Sequence, residues 1–69
     1  MEKVKIHTEY IKLNQLLKWI NIADTGASAS HLILSGKVKV NGEIDKRRGR
    51  KVYAGDLVEV EEVGSFLVE

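Results

Sequence analysis

Gly36-Lys37-Val38-Lys39-Val40-Asn41-Gly42 is the stretch whose reading decides the fold. Val38 and Val40 alternate with Lys37 and Lys39, so a strand here buries both valines and turns both lysines outward. Asn41-Gly42 then predicts a two-residue hairpin turn, because both residues tolerate the positive φ of a type I′ turn. The expected return strand is Glu43-Ile44-Asp45, with Ile44 facing inward. Beyond it, Lys46-Arg47-Arg48-Gly49-Arg50-Lys51 puts five basic side chains into six residues. A hairpin with one basic face leading into a basic run points to a surface that meets phosphates.

Working back from Gly36, the apolar residues recur at helical spacing. Ala29, Leu32 and Ile33 form one inward face with Gly26 below them, and Gly36 suits the left-handed position that ends a helix. Asp24 or Thr25 can cap the start of this helix through a side-chain oxygen. His31 and Leu34 fall on its outer side, with Leu34 a candidate to lie under the hairpin. An earlier stripe of Leu13, Leu16, Leu17 and Ile20 predicts another helix over roughly 13–21. Trp19 falls at the margin of that stripe. It either fills a gap in a small core or offers its indole for base stacking. Residues 2–6 read as a short strand with Val4 and Ile6 inward.

Working forward, Val52-Tyr53 precedes a turn at Ala54-Gly55-Asp56. Leu57 to Glu61 alternates again, with Val58 and Val60 inward, and Phe66-Leu67-Val68 forms a closing strand expected to pair with the first. Residues 1–69 are thus expected to form one small α+β domain.

The formal net charge of +1 conceals a strong segregation. Residues 37–51 hold seven basic residues against two acidic ones, while residues 52–69 hold five acidic residues and no lysine or arginine. A chain can be neutral overall and still carry a basic face. There is no cysteine, which excludes disulfides, thiolate zinc sites and a thiol nucleophile. His7 and His31 lack metal-ligand spacing, and Glu59, Glu61 and Glu62 read as solvated. No phosphate-binding loop or dinucleotide motif is present. No enzyme activity, cofactor or metal is expected. No apolar run approaches the ~20 residues of a membrane span, so no membrane partner is expected and the location is read as cytoplasmic.

Lysines and arginines in a turn can simply keep a loop soluble or guard a sheet edge. Here Lys37 and Lys39 add a second basic row, and Lys12 lies near the same side. Three arginines in the run suit phosphate oxygens and can stack on bases. The expected RNA-binding residues are Lys12, His31, Lys37, Lys39, Arg47, Arg48, Arg50 and Lys51. Their arginines are expected to be replaceable with little change in thermal stability. RNA is preferred over DNA because neither helix is a basic recognition helix for a major groove.

Three segments carry a resemblance: Lys12 to Leu17, Thr25 to Gly42, and Gly55 to Val60. Together they are similar to the S4 RNA-binding domain, whose core is called the αL motif. Its pattern reads R-L-D-x-x-L, then S-R-x-x-A-x-x-L-I-x-x-G-x-V-x-V-N-G, then G-D-x-I-x-V. The small size and the arginine run look like the stand-alone YaaA/YbcJ type. Lys12 and Asn14 stand where the pattern has Arg and Asp, and Thr25-Gly26 replaces Ser-Arg. The resemblance implies two short helices packed on a small, mostly antiparallel sheet. It also implies binding of structured RNA, with ribosomal RNA in ribosome assembly or maturation as the foremost candidate and the ribosomal subunit as a partner. The expected state is a monomer. The alternative is a protein-interaction adaptor using the basic face or the acidic C-terminal strands.

Overall fold

A computed structural model describes residues 1–69. Seven strands and two helices follow one another as β1 (Glu2–Val4), β2 (Tyr10–Lys12), α1 (Leu13–Trp19), α2 (Gly26–Leu34), β3 (Val38–Val40), β4 (Glu43–Ile44), β5 (Lys51–Tyr53), β6 (Leu57–Val60) and β7 (Gly64–Val68). Five strands form one sheet in the order β1-β7-β6-β3-β4, and β2 pairs with β5 in a separate two-stranded sheet. All pairings are antiparallel except β1 with β7. The fold is therefore the expected α+β arrangement of two short helices on a mostly antiparallel sheet. No helix is long and apolar enough to cross a membrane.

The opening stretch forms as its pattern requires. Val38 and Val40 are buried and Lys37 and Lys39 exposed. Asn41 and Gly42 both take positive φ, 53° and 87°, which gives the hairpin the twist its strands need. Ile44, however, is 55% exposed rather than inward. The two-residue turn pairs Val40 with Glu43 and Lys39 with Ile44. Directly opposed residues share a face, so the register that buries Val40 sends Ile44 out beside Lys39.

Each helix ends in a left-handed residue. Asn21 (φ 63°) closes α1, with the Ile22 N–H donating to the Leu17 carbonyl at 3.0 Å. Gly36 (φ 78°) closes α2 in the same way, with the Lys37 N–H on the Leu32 carbonyl at 3.3 Å. Thr25 caps α2 by accepting from the Ser28 N–H at 3.0 Å. Leu34 is 57% exposed and does not lie under the hairpin.

The core is one cluster of 14 buried residues contributed by every layer. Leu13, Leu16 and Leu17 of α1 and Ala29 and Ile33 of α2 meet Val38, Val40, Val58 and Val60 of the large sheet. Removing one fully buried leucine such as Leu17 from a core this small costs about 2–5 kcal/mol, a large share of a marginal total. The closing strand does pair with the first, in parallel register from Glu2↔Phe66 to Val4↔Val68. The Glu69 N–H donates to the Val4 carbonyl at 2.8 Å, which ties the two ends of the chain together.

The small sheet was not expected. Tyr10 to Lys12 has too few residues to show a period of two, yet it pairs with Lys51 to Tyr53 across most of the sequence. Ile11 packs against the core and Val52 is buried within it. This sheet fixes the start of α1 and the end of the basic run side by side.

Candidate nucleic-acid interface

The basic run is a tightly held turn. Its anchor is Asp45, buried to 6% exposure and the one buried charged residue. Its carboxylate accepts from the Arg47 backbone N–H at 2.9 Å, from Arg47 Nε at 3.0 Å and from Arg47 Nη2 at 2.8 Å. Arg50 Nη1 adds a fourth bond at 2.5 Å. The hydrogen bonds and charge of Arg47, reinforced by Arg50, hold the Asp45 carboxyl well below the usual carboxylate range against the opposing effect of burial. The same pairing raises the Arg47 guanidinium further above its ordinary value.

Helix α1 supplies the other anchor. Lys12 stands at its N-cap without a side-chain cap. Instead, the Leu13 N–H donates to the Arg50 carbonyl at 2.8 Å and the Asn14 N–H to the Arg48 carbonyl at 3.0 Å. Two of the orphan donors at this helix start are thus met by the basic run, and the Gln15 N–H donates to Asn14 Oδ1 at 2.9 Å. A turn bond from the Arg50 N–H to the Arg47 carbonyl at 3.0 Å closes the Arg47-Arg48-Gly49-Arg50 loop.

This bracing sorts the arginines. Arg50 has a side chain only 27% exposed and is engaged with Asp45. Arg47 is also paired, but its side chain remains 72% exposed. Arg48 makes no ion pair and lines a shallow cleft with Asn14 of α1 and Gly26, Ala27, Ser30, His31 and Leu34 of α2. His31 and Arg48 therefore share one depression on the helix side of the molecule. Lys12 and Lys51 are opposed in register on β2 and β5. Lys12 is the N-cap of α1, two residues from Asn14 of the cleft, and itself lines a neighbouring depression with Thr8, Glu9, Tyr10 and Gln15.

Lys37 and Lys39 are elsewhere. Val38 and Val40 point toward the helices, so Lys39 points away from them, on the outer face of the large sheet. It stands between Ile44 on one side and Glu59 on the other. Lys37 and Lys39 line a groove with Glu59, Glu61, Glu62 and Val63. Lys37 and Lys39 therefore line a different depression from Arg48, although Lys46, the first residue of the basic run, packs near Gly36 at the border of their groove. Trp19, 49% exposed, lies at the C-terminal end of α1, remote from the cleft at its N-terminal end. No group of three His, Asp or Glu side chains is arranged to hold a metal ion.

A second linkage explains why two separated motifs occur together. Asn41 of the hairpin turn donates through Nδ2 to Asp56 Oδ1 at 3.1 Å and accepts through Oδ1 from the Leu57 N–H at 2.9 Å. Asp56 in turn accepts from the Tyr53 N–H at 2.9 Å. The asparagine of V-x-V-N-G and the aspartate of G-D-x thus clasp two turns that hold β3, β5 and β6 in register.

The family model for the S4 domain matches residues 4–69, which is nearly all of this arrangement. The chain belongs to the S4 domain family. A curated relative from Bacillus subtilis (strain 168), named Probable ribosome maturation protein RlbA, is 46% identical over 65 residues. That alignment covers 94% of this chain and 92% of the relative.

Within this S4 domain, sequence reasoning missed Asp45, Tyr10 and Tyr53. Asp45 carried a usable signal, since a lone acid two and five residues before arginines can accept from both. The tyrosines carried none, because only the β2–β5 pairing places them side by side.

Proposed function

We propose that this S4 protein binds structured RNA without catalysing a reaction, and that it serves in ribosome maturation with ribosomal RNA as its target. The whole chain acts as one cytoplasmic RNA-binding domain and needs no cofactor. The observation that carries this reading is the presentation of Arg48. A turn anchored at both ends, by Asp45 and by the start of α1, holds an unpaired guanidinium over the cleft it shares with His31 and Gly26. Pre-ordering the backbone that carries a phosphate-binding side chain lowers the entropy lost on binding.

Gly26 sits where the family pattern has an arginine, and a Cβ added there would meet nothing within 4 Å. Arg48 supplies a guanidinium to the same cleft from the opposite wall. Lys12, Lys51 and the exposed side of Arg47 extend the positive field, and His31 adds a donor. The name of the Bacillus subtilis relative supports ribosome maturation as the setting. Monomeric action is supported by the large sheet's edges, since β1 has three residues and β4 two, too short to template another chain.

Crosslinking in cells followed by sequencing of the bound RNA tests the target. Ribosomal RNA should dominate, and the signal should collapse in Arg48→Ala combined with Lys12→Ala. A double variant that crosslinks as well as wild type would reject the surface.

The groove of Lys37, Lys39, Glu59, Glu61 and Glu62, with Ile44 and Val63 exposed along it, favours a second role as a protein contact on the outer sheet face. A protein partner retained after RNase treatment and lost in Lys39→Glu would support it.

A further inference from the structure

The outer face of the small sheet adjoins the cleft through Lys12 and Lys51, and its composition is unusual. β2 and β5 pair Tyr10 with Tyr53 and Lys12 with Lys51, while Ile11 and Val52 turn to the core. One exposed face therefore reads as two tyrosines beside two lysines. The tyrosine rings are 5.8 Å apart between centroids and tilted by 51°. Lys51 Nζ lies 4.9 Å from the centre of the Tyr10 ring. Tyr10 is half-buried, whereas Tyr53 is 43% exposed.

A structural role alone would account for an aromatic cross-strand pair, since such pairs support a short sheet. It accounts for Lys51 only through its contact with the Tyr10 ring, and for Lys12 not at all. Lys12 and Lys51 are directly opposed, and like charges in that position destabilise a strand pair. The ion pairs of the molecule are Lys3–Glu69, Arg47–Asp45 and Arg50–Asp45, so neither lysine has a carboxylate partner. Two ammonium groups without an ion-pair partner, on the same sheet face as an exposed aromatic ring, match a nucleotide, which brings a phosphate and a flat π-face together. Tyr10, held under Lys51, braces the edge of Tyr53 and leaves part of the Tyr53 ring open.

We propose that Tyr53, with Lys12 and Lys51, is a stacking site for one unpaired nucleotide of the bound RNA. The base stacks on the exposed Tyr53 ring and the flanking phosphates lie against the two lysines. Tyr10 is a positioning residue. The platform adjoins the Arg48 cleft across the start of α1, so one RNA can place helical phosphates in the cleft and a bulged or looped-out base on the tyrosine. Stacking reads any base, so the site selects unpaired geometry rather than sequence.

This proposal rests on the RNA-binding reading above, and one experiment separates the two. The probes are a short RNA hairpin with a 2-aminopurine as a single-nucleotide bulge, and the same hairpin without the bulge. Wild type should bind the bulged hairpin more tightly and quench the 2-aminopurine. Tyr53→Leu should lose about tenfold to a hundredfold in affinity for the bulged RNA, abolish the quenching, and keep its affinity for the plain hairpin. Tyr53→Phe, which keeps the ring, should behave as wild type. Tyr53→Leu binding the bulged RNA as wild type does would overturn the platform alone. Equal losses on both RNAs, or a loss in Tyr53→Phe matching that in Tyr53→Leu, would assign Tyr53 a structural role and overturn it too. Wild type that binds neither hairpin, nor ribosomal RNA, would overturn both readings.

Discussion

Asp45 and Arg50, five residues apart, meet through Nη1 and Oδ2 at 2.5 Å, and this contact turns a run of positive charge into a fixed loop. The arginines of the run are consequently not equivalent. Arg50→Ala leaves a buried carboxylate short of a charged donor, at a cost of about 1–3 kcal/mol. Arg48→Ala removes no intramolecular ion pair. Thermal unfolding should therefore show a lowered Tm for Arg50→Ala and an unchanged one for Arg48→Ala, with RNA affinity falling in both. A triple replacement of Arg47, Arg48 and Arg50 will lose stability, contrary to the expectation from sequence. Equal melting temperatures for the two single variants would remove Asp45 from this role.

Acid should unfold the protein through the same residue. The Asp45 carboxyl, at an ordinary value of 3.8 when free, is held far lower in the folded state by Arg47 and Arg50. In the unfolded chain it takes up a proton near that ordinary value, so below about pH 4 the unfolded state binds more protons than the folded one. Stability is then complete above this range and falls as pH drops through it. Asp45→Asn should be less stable at pH 7 and flatter with pH between about 4 and 2. Denaturant midpoints measured against pH for both proteins check the slope. Parallel curves would mean that other carboxylates govern acid unfolding.

The Asn41–Asp56 clasp predicts an ordering of variants. Asn41→Gly keeps the left-handed turn and loses both side-chain hydrogen bonds, costing about 1–2 kcal/mol. Asn41→Ala loses the same bonds and keeps a Cβ at positive φ without asparagine's tolerance of that region, for about 1 kcal/mol more than Asn41→Gly. Denaturant unfolding should rank wild type above Asn41→Gly above Asn41→Ala. Inversion of the last two would show that turn strain is unimportant here.

Legibility in the sequence followed the length scale of each interaction. The helices, the left-handed end of the second at Gly36 and the buried valines follow from local periodicity and single residues, so they could be read directly; the left-handed Asn21 that ends the first was not. Ile44 could not, because apolar character argued inward while the register fixed by Asn41-Gly42 sent it out, and register won. Tyr10–Lys12 forms a strand only because Lys51–Tyr53 lies alongside it, a pairing that spans some forty residues of chain. Composition marked the basic residues as candidates and alternation turned Lys37 and Lys39 outward, but neither says on which side of the fold Arg48 falls. The alternation that buries Val38 and Val40 also put Lys39 on the far side of the sheet from Arg48.

That separation gives the sharpest check of the interface. Deleting one cation that neutralises a phosphate should reduce the log–log salt slope of binding by about 0.7–0.9. Lys12→Ala, beside the cleft, should weaken binding to a ribosomal RNA hairpin and flatten the slope by that amount. Lys39→Ala, opposed to Glu59 on the outer face, should leave both affinity and slope at wild-type values. Titrations by fluorescence anisotropy across a series of salt concentrations measure both quantities at once. A slope reduced by Lys39→Ala and untouched by Lys12→Ala would move the RNA to the outer face of the sheet. It would also make Ile44 and Val63 part of its border in place of His31.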